Sequence, residues 1–176
     1  KRLRTLKLGE NLLSGTIPDS IEFAESLNVL HLGSDGSRNQ QLSGTVPAGI
    51  SELPLKEIDV SRNPRLTGTF PTNMLAGVNA LFTRAVFSNC GFTGHLDELL
   101  TSIPTGYVRR HVQVLDFTAN ALSGTIPAII GEFEALTKMQ FENNMFSGEI
   151  PNEIGSLHRV GELSLGNNNF EGKVPD

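Results

Sequence analysis

Residues 13–18 read LSGTIP, and residues 122–127 read LSGTIP again. Near-copies accompany them: LSGTVP at 42–47, LTGTFP at 66–71, FTGHLD at 92–97, FSGEIP at 146–151 and FEGKVP at 170–175. The shared form is a large apolar residue, any residue, Gly, any residue, an apolar residue and usually Pro. A hexad that returns at intervals of a few tens of residues is the mark of a repeat architecture. In such a chain no unit can bury its apolar face alone, and neighbours must stack to make a core.

The stretch upstream of each hexad repeats as well. Leu3, Leu6, Leu8, Asn11 and Leu13 fit L-x-x-L-x-L-x-x-N-x-L, as do Val112, Leu115, Phe117, Asn120 and Leu122. The same frame holds for Leu136, Met139, Phe141, Asn144 and Phe146, and for Val160, Leu163, Leu165, Asn168 and Phe170. A further unit runs Leu55, Ile58, Val60, Asn63, with Leu66 one residue late. Another runs Phe82, Ala85, Phe87, Cys90, Phe92, with Cys in the Asn slot. The unit opening with Leu27, Leu30 and Leu32 carries about five extra residues, Gly36–Gln40, before Leu42. Seven units therefore start at 3, 27, 55, 82, 112, 136 and 160, with steps of 24, 28, 27, 30, 24 and 24 residues.

This pattern resembles the leucine-rich repeat family, and the L-x-G-x-I-P tail with its 24-residue step resembles the plant-type subfamily. That subfamily includes plant receptor-kinase ectodomains and polygalacturonase-inhibiting proteins. The resemblance runs from Leu3 to Pro175. It implies an α/β fold: a right-handed solenoid with a parallel concave sheet, a second ladder of short strands, and short 3₁₀ or irregular convex segments. It also implies an extracellular or cell-surface setting. Relatives of this type carry cysteine-paired caps, and neither cap is present here.

The local chemistry explains the motif. The x-L-x-L-x stretch alternates with period two, so it reads as a strand with its leucines inward and its x residues outward. Where the chain leaves that strand, backbone donors and acceptors lose their sheet partners and need replacements. An Asn side chain offers both a donor and an acceptor. Asn11, Asn63, Asn120, Asn144 and Asn168 are thus expected to bridge turn to turn. Cys90 in that slot is either a reactive thiol or a small buried member of the ladder. In the hexad, Leu13 and Ile17 are expected to anchor inward and Ser14 and Thr16 to point outward. Gly15 is expected where the chain presses on its neighbours, and Pro18 to end the strand. Matching rungs are expected to stack copy on copy. Asp97 replaces the Pro of its hexad and reads as the N-cap of a true helical turn or two in the longer segment that follows.

Composition narrows the function. The 176 residues are 38% hydrophobic and 19% charged, as in a single globular domain. A net charge of −5 lacks the basic footprint of a nucleic-acid binder. No run of 18 apolar residues offers a membrane span. One Cys excludes an internal disulfide, and no Asn-x-Ser/Thr acceptor occurs. GNNNFEGK has five residues between its glycines and Val174 after its Lys, so it is not a phosphate loop. Asp35, Ser37 and Asn39 have calcium-loop spacing, but Gln40 and Val46 stand where Gly and Glu belong. His31, His95, His111 and His158 fall at different points of the repeat, so no metal set converges. We therefore expect no catalysis, no cofactor and no metal.

What remains is surface. One column of outward residues reads Lys7, His31, Asp59, Val86, Asp116, Gln140, Ser164. Beside it runs Thr5, Val29, Glu57, Arg84, Val114, Lys138, Glu162, and on the other side Gly9, Gly33, Ser61, Ser88, Thr118, Glu142, Gly166. The columns carry both signs and no aromatic residue. Curved solenoids bind along such a face, so the expected function is a binding or adhesion scaffold for a protein, peptide or carbohydrate. The expected ligand-binding residues are Lys7, His31, Glu57, Asp59, Arg84, Asp116, Lys138, Gln140 and Glu162, with residues 36–40 as a rim loop. The alternatives are an ice-binding face made by the Ser/Thr pairs of the hexads, or a structural assembly module. The first and last units are ordinary repeats without polar caps. This predicts apolar end faces, end-to-end self-association, or a place inside a longer array.

Overall fold

The structure is a computed structural model, and it describes residues 2–34, 41–70, 82–103 and 109–175. The 36–40 loop lies outside these residues. Each unit contributes two strands. They are β1 (Thr5–Lys7) and β2 (Ser14–Thr16), β3 (Val29–His31) and β4 (Gln41–Gly44), β5 (Glu57–Asp59) and β6 (Arg65–Thr69), and β7 (Arg84–Val86) and β8 (Gly91–His95). Then come β9 (Val114–Asp116) and β10 (Ala121–Gly124), β11 (Lys138–Gln140) and β12 (Met145–Glu149), and β13 (Glu162–Ser164) and β14 (Asn169–Glu171). The first strand of every unit joins one parallel sheet in chain order, and the second strand joins another. This is the solenoid expected from the repeat.

In the first sheet equivalent positions face each other. Leu6 lies opposite Leu30, Leu30 opposite Ile58, Ile58 opposite Ala85, Ala85 opposite Leu115 and Leu115 opposite Met139. Leu30, Ile58, Ala85, Leu115 and Met139 are fully buried. Behind them runs a spine of phenylalanines, Phe70, Phe87, Phe92, Phe117, Phe141, Phe146 and Phe170, with neighbouring ring centroids 4.6–6.4 Å apart. Such contacts add about 0.5–1.5 kcal/mol each beyond the area they bury.

The second sheet departs from the expectation that hexads stack copy on copy. Gly15 pairs with Leu42, Gly44 with Leu66, Gly68 with Phe92 and Gly148 with Phe170. Each rung has slipped two residues against the one before, because parallel strands hydrogen-bond wherever the solenoid brings them level. The hydroxyls fill local needs. Ser43, Thr93 and Ser123 each donate to the carbonyl of the preceding rung's Gly15, Gly68 or Gly94, at 3.3 Å. At Gly15 the cause differs from the expected crowding, whereas a Cβ on Gly44, Gly68, Gly148 or Gly172 would lie 2.8–3.1 Å from a side chain of the preceding rung. All seven hexad glycines have positive φ, from +75° to +126°. A Cβ on Gly15 would meet nothing within 4 Å, so conformation and not contact demands Gly there.

The Asn ladder forms from Asn63 onward, while Asn11, expected to join it, donates only within its own turn, to Leu8 and Gly9. Asn63 donates to Val60 and Ser61 of its own turn and to Leu32 of the previous unit, at 3.0–3.2 Å, while its Oδ1 accepts the Leu42 N–H at 3.0 Å. Asn120 binds Phe87 and Phe92 in the same way, Asn144 accepts from Leu122, and Asn168 from Phe146. The residue before each ladder position sits in the left-handed region: Glu10, Arg62, Asn89, Ala119, Asn143 and Asn167 have φ of 53–58°. Glu10, Arg62 and Ala119 lack the ease that Asn's short side chain gives the other three there, and the ladder's bonds hold the turn in place.

On the convex side, Asp19–Phe23, Ala48–Glu52, Ala128–Glu132 and Asn152–Ser156 are 3₁₀ turns, each entered through the hexad's Pro. The unit without that Pro makes a true helix, α1 (Leu96–Ser102). Asp97 is not its N-cap. The helix starts one residue earlier, because Leu96 is buried in the core, and Asp97 lies in the first turn with His95 at the cap. The buried Arg109 donates to the Ile103 carbonyl from two nitrogens, at 3.0 and 2.7 Å, and to Glu132 at 2.6 Å, tying this longer unit to the next.

Candidate ligand-binding face

The concave sheet sets the candidate residues side by side. Lys7 faces His31, His31 faces Asp59, Asp59 faces Val86, Val86 faces Asp116 and Asp116 faces Gln140. Two residues toward each strand's start, Glu57 faces Arg84, Arg84 faces Val114, Val114 faces Lys138 and Lys138 faces Glu162. All nine residues expected from the sequence are thus on one face, at strand spacing of about 4.7–4.9 Å.

Their charges are arranged across rungs. His31 Nε2 lies 3.1 Å from Glu57 Oε2, Lys138 Nζ lies 2.7 Å from Glu162 Oε2, and Arg84 reaches Asp59 at only 3.9 Å. Gln140 donates to the same Glu162 oxygen at 3.2 Å. These are half-exposed contacts, each contributing about 0–1 kcal/mol. Two aspartates are fixed by their own turns. Asp59 Oδ1 accepts from the Ser61 N–H at 3.0 Å and the Ser61 hydroxyl at 2.6 Å, and Asp116 Oδ1 accepts from the Thr118 N–H at 3.1 Å. Between them the short side chain of Val86 is flush with the sheet, 5% exposed.

Beyond the expected set, Glu142 joins this face. Its Oε2 accepts the Ser164 hydroxyl at 2.8 Å. The third column of outward residues contained it, but its neighbours there are Gly, Ser and Thr, so nothing in the sequence marked it out. At the end near β1, Lys7, Gly9, Glu10, His31, Gly33, Ser34 and Asp59 line a polar hollow of about 430 Å³. Gly33 makes room for it to be lined this way: a Cβ there would lie 2.6 Å from the Ser61 hydroxyl.

Cys90 belongs to the ladder and not to this face. Its thiol donates to Val60 O at 3.3 Å, and burial pushes its pKa up to about 12, so the nucleophilic thiolate is suppressed. At the β1 end of the solenoid, Leu3, Leu8, Leu13 and Phe23 are 37–65% exposed around an open apolar hollow, and at the other end Leu163 and Val174 are exposed.

Comparison with known proteins agrees with this geometry. The Leucine Rich Repeat family model matches residues 2–24 and 135–157. Receptor-like protein 43 of Arabidopsis thaliana is 26% identical over 168 residues, covering 76% of this chain and 23% of that protein. The Arabidopsis receptor kinase HAESA, solved in complex with the peptide hormone IDA and the co-receptor SERK1, superimposes with a TM-score of 0.83 at 29% identity, covering 99% of this chain and 27% of that one. The chain therefore spans about a quarter of the length of these two relatives. A plant ice-binding protein shares the fold, with a TM-score of 0.71 at 24% identity over 99% of this chain and 59% of that one.

Proposed function

The chain is a plant-type leucine-rich repeat solenoid, and from that premise we propose that it is a non-catalytic scaffold that binds a protein or peptide through its concave sheet. The carrying observation is the alignment of Lys7, His31, Asp59, Asp116 and Gln140 in one unbroken column, flanked by Glu57, Arg84, Lys138 and Glu162. A parallel sheet is normally covered on both faces. Here the outer face is polar, presents charged groups at fixed spacing, and is covered by no other part of the described chain. A solved relative holds a peptide hormone and a co-receptor, which supports a peptide or protein partner and an extracellular or cell-surface setting.

The test is selection of displayed random peptides on the 176-residue chain, followed by rebinding to a variant carrying Glu57→Ala, Lys138→Ala and Glu162→Ala. These residues are exposed enough to be replaced without opening the core. Binders should weaken on the variant. Binders indifferent to it and to Asp116→Asn would remove the concave sheet as the ligand face.

A further inference from the structure

Resting on that reading of the concave sheet, we propose that its occupant is a basic peptide in extended conformation, with one Lys or Arg side chain seated over Val86 between Asp59 and Asp116. The first argument is charge. Glu57, Asp59, Asp116, Glu142 and Glu162 stand on this face against the permanent cations Lys7, Arg84 and Lys138. Glu57 is engaged by His31 and Glu162 by Lys138. Asp116 and Glu142 have no ion-pair partner among the described residues. The surplus is negative and lies on the middle and later rungs.

The second argument is shape. Asp59, Val86 and Asp116 occupy directly paired positions on three consecutive strands. Two strand spacings separate the aspartates by about 9.4–9.8 Å. Val86 between them is small, apolar and flush, so the place above it is a notch with an apolar floor and a carboxylate on each side. Both carboxylates are already oriented, by the Ser61 N–H and hydroxyl and by the Thr118 N–H. A guanidinium or ammonium group lowered into the notch lies between two carboxylates that are already held in place and is attracted by both. The methylene stem of Lys or Arg suits the valine floor. The chain's own Arg84 approaches Asp59 from the adjacent column at 3.9 Å, too far for a hydrogen bond, and leaves Asp116 untouched. An acidic peptide would meet repulsion at the same place.

The experiment uses the peptides selected on the unmodified chain, with affinity measured by fluorescence anisotropy at low and at moderate salt. Basic peptides should predominate. Their binding should weaken about 1.5–5-fold for Asp116→Asn, as expected of one exposed charge contact. It should fall further for Asp59→Asn with Asp116→Asn, and fall as salt rises. Arg84→Ala, which frees Asp59, should leave binding unchanged or tighter. Replacing the single Lys or Arg of a selected peptide by norleucine should abolish its sensitivity to Asp116→Asn. Circular dichroism checks that each variant is folded. Selection of neutral or acidic peptides that weaken with Glu57→Ala or Lys138→Ala overturns this inference while leaving the concave ligand face standing. Peptides that respond to none of the concave substitutions overturn both.

Discussion

Asn63 is the place where the ladder can be tested most sharply. Its side chain is fully buried and makes four hydrogen bonds. Asn63→Ala does not orphan all of the partners. The Val60 carbonyl keeps the Cys90 thiol at 3.3 Å, and the Ser61 carbonyl keeps the Ser34 N–H at 3.2 Å. The Leu42 N–H loses its acceptor in a buried setting. Leaving one such donor unpaired costs about 1–3 kcal/mol. At about 2 kcal/mol the melting temperature of a chain this size should fall by about 4–8 °C. Asn11→Ala is the matched control, because Asn11 is exposed and donates only within its own turn, to Leu8 and Gly9 at 3.0 and 2.9 Å. Thermal melts by circular dichroism measure both, and amide exchange at Leu42 locates the damage. Because each repeat contacts only its neighbours, exchange should rise around Leu42 before it rises around Leu122. A melting shift for Asn63→Ala no larger than that for Asn11→Ala would refute the bridging role.

Two further outcomes follow from single residues. Burial raises the Cys90 pKa from 9.0 to about 12 and so favours the neutral thiol, whose contribution to stability is whole below pH 9 and lost as pH climbs toward 12. In the native protein at pH 8 a maleimide should label Cys90 no faster than the local structure opens, and prompt labelling would show that the thiol is not in the ladder. Gly94 has a φ of +126°, and a Cβ there would meet only the Phe70 nitrogen, at 3.7 Å. Gly94→Ala should therefore cost about 1–3 kcal/mol in urea denaturation through backbone strain alone. A cost below about 0.5 kcal/mol, the range of a neutral surface change, would mean that the hexad Gly answers to something other than its dihedral angle.

The sequence by itself determined the periodicity, and periodicity determined much of the rest. Leu30, Ile58, Ala85, Leu115 and Met139 recur at one point of the unit, so they had to share one buried line, and the residues between them had to share one outer face. The nine candidate residues were legible for that reason: alternation along a strand plus a fixed repeat assigns a face without any knowledge of contacts. Tertiary structure alone decided how that face is wired. That Asp59 is held by Ser61 at 2.6 Å while Arg84 stays at 3.9 Å, and that Glu162 is held by Lys138 and Gln140, depends on how closely side chains approach across rungs that lie about 24 to 30 residues apart in sequence. The slip of the second sheet was likewise beyond the sequence, since identical hexads fix what each rung contains and not the level at which it meets the next. The start of α1 at Leu96 and not after Asp97 has the same origin. A capping preference of about 1 kcal/mol yields to the burial of a leucine, worth about 1.5–3 kcal/mol, and only the folded chain shows which of the two is being satisfied.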